Sequence, residues 1–278
     1  MIRLADGIEY VELYYTLRCN FRCPYCINGN ISRARYEADY IDIVDGINDI
    51  DFRGLPLTIG GGEPTIKNTF YDMVNSLRPD IKIDLLTNGQ FSVEEFMRNI
   101  PNDRLYNASD PAYKNIRISY HQGSDPQEIS TKAQILDLHG YRVGIFGIAH
   151  PESLKANMQM AEICRKKGVF FFVKEFLGEY DGQWYGHYKY PRGKAGTPFQ
   201  VMCRGSEVLI GPGGDIYRCH HDLYLNTRAD GNIIDYNRDT IEYEYRPCQN
   251  YGECNLCDLK IKISPDFKKS RCSIEVKE

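Results

Sequence analysis

The chain has 278 residues, ten cysteines and a formal net charge of −4. That length allows one large domain, or a large and a small one, with bulk enough for a proper core. The acidic balance offers no field for a nucleic-acid backbone, no basic start runs into an apolar leader, and no apolar stretch is long enough to span a bilayer. The expectation is a soluble cytoplasmic protein with no nucleic-acid or membrane partner, its cysteines reduced rather than paired in a secreted scaffold.

From about residue 8 to residue 177, short β-branched or aromatic runs alternate with amphipathic stretches. Tyr10–Leu17, Leu57–Gly60, Ile81–Thr87, Ile116–Tyr120, Val143–Ile148 and Val169–Val173 read as strands. Between them, Tyr40, Ile43, Val44 and Ile47, then Phe70, Met73, Val74 and Leu77, then Val93, Phe96, Met97 and Ile100 recur at helical spacing. Two further helices carry Ile129, Ala133 and Leu136, then Leu154, Met158 and Ala161 as their apolar faces, with Cys164 as a buried small hydrophobe on the second. They stop at Gly140 and Gly168, which suit a left-handed cap. Six strand–helix repeats imply a parallel sheet that curls toward a barrel, and six units leave it open.

The loop after the first strand reads Cys19-Asn-Phe-Arg-Cys23-Pro-Tyr-Cys26. Three compact cysteines suit three irons of a [4Fe–4S] cubane and leave the fourth iron to another ligand. A zinc clip is the competing use, but it pairs two short knuckles and this triplet has no local partner. The loop after the second strand reads Gly61-Gly62-Glu63-Pro64, by itself no more than a turn. In α/β barrels the working loops follow the C-terminal strand ends, so both runs face one mouth.

This pair of motifs, in this order, resembles the radical S-adenosylmethionine (SAM) enzymes. The resemblance implies an α/β fold, a partial (β/α)6 TIM barrel. It also implies that SAM chelates the open iron and is cleaved reductively, and that the resulting radical takes a hydrogen atom from substrate. Cys19, Cys23 and Cys26 would then hold the cluster, and Tyr25 would lie near the adenine. Gly61 and Gly62 would allow close backbone approach, and the backbone around Glu63 would meet the methionine amino group. A flavodoxin- or ferredoxin-type electron donor is implied as a partner. Thr87 and Asn88 either contact SAM or cap a tight turn, and Ser119 is a similar candidate. His121 points into the mouth if its strand ends there, as a positioning residue or as a group titrating near neutrality that moves a proton. Lys174 and Glu175 either reach a polar substrate or form a solvated ion pair.

Residues 178–200, rich in glycine and aromatics, read as a connector that folds over the site as a lid or packs as a loop. Beyond them Cys203 and Cys219 bracket a hairpin turning at Gly211-Pro-Gly-Gly214. Cys248, Cys254, Cys257 and Cys272 follow. With Gly214 ahead of Cys219, the hairpin resembles the opening of the SPASM and twitch auxiliary-cluster domains. The full SPASM pattern fails at Tyr245, where a cysteine would stand, whereas Cys203, Cys219, Cys254 and Cys257 satisfy the shorter twitch pattern and close one auxiliary [4Fe–4S] cluster. Cys248 and Cys272 are then spare, or are shared in a second auxiliary cluster; a zinc ribbon is the other use of such spacing. His220 and His221 read as a ligand, as donors to the cluster, or as exposed tail histidines. The organisation is thus a barrel over 1–177, a connector over 178–200 and an auxiliary domain over 201–278. The expected substrate is a small polar metabolite such as a sugar, aminosugar or nucleotide-sugar, oxidised with the auxiliary cluster as electron acceptor. The alternative is a peptide.

Overall fold

The computed structural model describes residues 1–27, 35–121, 123–264, 267–271 and 274–277. Six parallel strands form the body: β1 (Tyr10–Thr16), β2 (Leu57–Gly61), β3 (Ile83–Thr87), β4 (Ile116–Ser119), β5 (Val143–Ile148) and β6 (Phe171–Lys174). They pair in sequence order, as right-handed crossovers require. The sheet does not close on itself, and β6 ends it.

Helices α1 (Tyr40–Asn48), α2 (Phe70–Ser76), α3 (Val93–Asn99), α4 (Pro126–Leu138) and α5 (Leu154–Lys167) cover the outside. Their starts are written locally. Asp39 accepts from Ile41 N at 2.9 Å, Ser92 from Glu95 N at 3.2 Å, and Asp125 from Gln127 N at 2.8 Å ahead of Pro126. Val11, Leu13 and Tyr15 of β1 turn outward into the core with Ile43, Ile47 and Phe70, while Tyr10, Glu12 and Tyr14 turn inward.

Helix α5 corrects the expected face. Leu154 and Met158 are 52% and 75% exposed, and Ala161 is exposed too, whereas Asn157, Met160 and Cys164 are buried. The docking is set by a polar residue: Asn157 Nδ2 donates to Ile148 O at 2.8 Å, and its Oδ1 occupies the space that Gly147 leaves by having no Cβ. Cys164 is buried as expected, but on this opposite face, and burial pushes its thiol up to about 11.

The connector carries a short hairpin, β7 (Gly178–Tyr180) with β8 (Gln183–Tyr185), and packs against the tail, Lys189 N donating to Leu259 O at 2.8 Å. Two tail strands follow: β9 (Phe199–Gly205), then β10 (Glu207–Ile210). The expected hairpin is β10 with β11 (Asp215–Tyr217). It does not stand apart: β10 pairs in parallel with β1, and β11 and β12 (Gly231–Asn232) extend the body to a nine-stranded sheet. The edge of β1, which a six-stranded open barrel would leave bare, is thereby paired. Strands β13 (Arg246–Tyr251) and β14 (Ile274–Lys277) flank β9 in a separate sheet, and the short helices α6 (His220–Leu225) and α7 (Leu256–Leu259) pack against each other. Cys272 lies outside the described residues.

Candidate functional site

One cavity of about 730 Å³ opens at the C-terminal ends of the body strands and runs down to the tail. Cys19, Cys23, Tyr25, Cys26, Gly61, Gly62, Thr87, Asn88, Ser119 and His121 all line it, so the structure brings the predicted site residues together.

Glycine makes this convergence possible. Gly61 has φ +117°, and a Cβ on it would stand 2.2 Å from Thr16 O; one on Gly62 would stand 2.1 Å from Arg18 O. Gly62 N donates to Thr16 O at 2.8 Å and Glu63 N to Arg18 O at 2.9 Å, laying this turn directly on the chain that leads into the cysteine loop. Glu63 is fully buried, and its carboxylate accepts from Thr65 Oγ1 at 2.6 Å, Thr87 Oγ1 at 2.8 Å and Asn88 N at 2.5 Å. Burial raises its pKa and these bonds oppose the rise. The side chain thus clamps the β2 loop to the end of β3.

Thr87 also caps the turn, its Oγ1 accepting from Gly89 N at 3.0 Å. Asn88 reaches the other way, donating to Asn20 Oδ1 at 2.7 Å beside Cys19, and Cys19 Sγ accepts from Phe21 N at 3.4 Å. His121 and Tyr25 meet in a 3.1 Å hydrogen bond between Nδ1 and the phenol oxygen, their rings stacked, with Phe21 against the imidazole. Burial pushes His121 down to about 4, so it is neutral at neutral pH; this corrects the expectation of a group titrating near neutrality.

Sequence reasoning missed the polar floor. Glu12 and Glu207 lie on one face of the neighbouring strands β1 and β10, 6% and 4% exposed, and both line the cavity. Glu12 Oε1 occupies the space over Gly60, and no hydrogen bond or ion pair to Glu12 is formed among the described residues. Arg117 and Lys174 line the same space, Arg117 holding buried Asp84 at 3.3 Å and Lys174 lying 4.7 Å over the Phe146 ring. The signal was available: a carboxylate at the inward parity of an otherwise apolar strand marks a wet or liganded lumen. Glu37 was also missed. It accepts from Thr16 Oγ1 at 2.6 Å and pairs with Arg18 at 3.0 Å and Lys67 at 3.1 Å, tying the segment after the cysteine loop to both motif strands.

Glu175 does form an ion pair at the strand end. Its partner is His187 of the connector, at 2.6 Å, which raises that imidazole's pKa. His220 is not an exposed tail histidine: it is 5% exposed and 2.8 Å from Asp258, and although burial lowers its pKa, the charge and hydrogen bond of Asp258 together with Cys257 and Glu12 lift it to about 9. His221 shares a 3.2 Å contact with Asn250.

Among the described residues no three His, Cys, Asp or Glu side chains converge on a single-ion site, and none of the nine described cysteines is in a disulfide. A cubane spreads its thiolates over separate irons, and three thiols on one cavity wall beside a glycine-built cradle suit it.

Residues 13–106 match the family model of the radical SAM superfamily. The GTP 3′,8-cyclase of Nautilia profundicola is 32% identical over 101 residues, 31% of this chain and 30% of that one. The GTP 3′,8-cyclase of Edwardsiella ictaluri is 34% identical over 93 residues, 31% and 28% of the two chains. The match therefore spans about a third of these curated relatives' length. In fold the chain is similar to Streptococcus suis SuiB, with TM-score 0.54 and 15% identity over 82% of this chain and 64% of that one. It is likewise similar to native anSMEcpe with bound AdoMet, with TM-score 0.54 and 15% identity over 81% of this chain and 79% of that one.

Proposed function

We propose that this chain, which carries a radical SAM domain over residues 13–106, is a radical SAM enzyme acting on a small polar metabolite such as a sugar, aminosugar or nucleotide-sugar. The observation that carries this reading is the single cavity whose mouth bears Cys19, Cys23 and Cys26 and whose floor bears Glu12, Glu207, Arg117 and Lys174. When bound, SAM on the reduced cluster supplies a 5′-deoxyadenosyl radical. The chain's own contribution is placement and exclusion of stray hydrogen donors.

The three thiols would hold the cluster, the Gly61–Gly62 backbone would bound the methionine end of SAM, and Tyr25 would face the adenine. Tyr25 is fixed for that role by its bond to neutral His121, which positions and does not titrate. The same 730 Å³ must take cluster, SAM and substrate, so what remains suits a small molecule better than a chain. Buried carboxylates and cations on the floor would bind hydroxyl or amino groups and hold one hydrogen toward the radical. Oxidation with a tail cluster as electron acceptor fits the continuity of the cavity from mouth to tail.

Anaerobically reconstituted protein given SAM and a reductant should release 5′-deoxyadenosine above a no-protein control. Cys23→Ala should abolish the release; release at the control level would refute the reading. A metabolite fraction should stimulate release, and Glu12→Gln should weaken that stimulation. Stimulation by peptides alone would overturn the substrate class.

A further inference from the structure

The tail presents Cys203, Cys219, Cys248, Cys254 and Cys257, and their surroundings divide them. Cys203 on β9 and Cys248 on β13 come from paired antiparallel strands in which Val201 faces Cys248 and Cys203 faces Arg246. In that register Cys203 and Cys248 are diagonal neighbours on one face of the pair, and their proximity pushes Cys203 up and Cys248 down. Cys219 follows the hairpin, donates to Asp222 Oδ2 at 3.3 Å, and its charge acts on Cys203. Cys254 stands just before α7, held by Cys254 N donating to Gly193 O at 3.0 Å, and feels the charge of Cys248. All four pack into one cluster around Val201 and Tyr251.

Cationic groups gather at the same place. Arg228, whose guanidinium is held on Asp222 at 2.7 Å, acts on Cys248, and Arg218 acts on Cys203 while its own Nη1 is buried with no hydrogen-bond partner among the described residues. A nest of four thiolates and bridging sulfides would need such positive charge and would give that orphaned N–H an acceptor.

Cys257 is elsewhere. It lies within α7 and lines the cavity with Tyr14 and His220, whereas none of the other four tail cysteines lines that cavity. Lys260 Nζ stands 3.6 Å from its sulfur.

We propose that the auxiliary cluster of this chain is held by Cys203, Cys219, Cys248 and Cys254, and that Cys257, the second cysteine of the Cys-x-x-Cys knuckle, is a free thiol on the wall of the reaction cavity. The assignment rests on the reading of the tail as a cluster-binding unit. It differs from the pattern-based set by exchanging Cys257 for Cys248, and it puts a thiol where the substrate is expected to lie.

Two measurements decide it. In a chain with Cys19, Cys23 and Cys26 all changed to Ala, anaerobic reconstitution should leave about four irons. Adding Cys248→Ala should bring that below about one and remove the reduced cluster's EPR signal, whereas adding Cys257→Ala should preserve both. The reverse pattern overturns the assignment, and a background chain holding no iron overturns the auxiliary cluster itself and the assignment with it. Independently of any variant, the reconstituted wild-type chain is treated anaerobically with iodoacetamide and mapped by mass spectrometry. Cys257 should be alkylated and the four ligands protected; protection of Cys257 with alkylation of Cys248 refutes the proposal.

Discussion

Gly62→Ala tests the cradle at its tightest point. The added methyl would lie 2.1 Å from Arg18 O, 2.6 Å from Arg18 C and 2.7 Å from Leu17 O. Every one of these is a backbone atom, so no side chain can rotate away, and the β2 loop must separate from the strip that leads into Cys19. Overpacking of this kind costs about 1–3 kcal/mol. Separation also strains the bonds Gly62 N to Thr16 O and Glu63 N to Arg18 O, at about 1 kcal/mol each. The expected loss is therefore about 3–5 kcal/mol, a large part of a typical domain's stability. Gly168→Ala is the control: φ there is +71° and nothing lies within 4 Å of the new methyl, so only the left-handed strain of about 1 kcal/mol is felt, far from the cavity. Urea unfolding of the metal-free chain, followed by circular dichroism, compares the two, and iron content after reconstitution reports the cysteine loop. If Gly62→Ala costs no more than Gly168→Ala and holds wild-type iron, the argument that close backbone contact builds the site is wrong.

Glu63→Gln presents an amide NH₂ to donors that now meet a carboxylate, and should cost about 2–3 kcal/mol in the same unfolding assay; an unchanged midpoint would refute the clamp. On α5, Met160→Ala should cost about 2–4 kcal/mol, while Leu154→Gln and Met158→Lys together should stay within about 1 kcal/mol, and equal costs would restore the face expected from sequence. The pH dependence of the metal-free chain should carry the mark of His121. Its folded pKa of about 4 lies below the ordinary 6.5, so the unfolded state binds its proton first. Stability is then full above about 6.5 and falls as pH drops toward 4, by at most about 3 kcal/mol and by less where the cavity admits water. His121→Asn should flatten that limb of the urea-midpoint profile, and an unaltered slope would mean the ring is not held neutral.

Strands β1 to β5 were legible because they are buried nearly throughout and bounded by turn residues, and half-buried β6 was marked by its aromatic run, so composition and length found them without help from partners. The two motif loops were legible for the same reason, since a strand's C-terminal end fixes which mouth its loop joins. Helix α5 shows where periodicity stops. Leu154, Met158 and Ala161 do share a face, but spacing cannot say which face meets the sheet, and one bond from Asn157 to Ile148 O turns the helix the other way. The β10–β11 hairpin shows the same limit in two dimensions: its turn is written in Gly211-Pro-Gly-Gly214, yet nothing local says that Glu207–Ile210 will pair with β1.

That long-range pairing is what gives the site its second half. By docking beside β1, β10 sets Glu207 on the same face as Glu12 and brings His220, at the start of α6, to 3.9 Å from Glu207. From there Asp258 of α7, bonded to His220, ties the helix that carries Cys257 to the wall of the same cavity. A knuckle read along the chain makes Cys254 and Cys257 equivalent, because only their separation is visible. Once α7 is anchored through Asp258, the two residues have different surroundings, Cys254 packed near Val201 and Tyr251 and Cys257 on the cavity wall. On the ligand set proposed above, a reading from spacing alone fails at the cysteine that a tertiary anchor turns away, and the His220–Asp258 pair is that anchor.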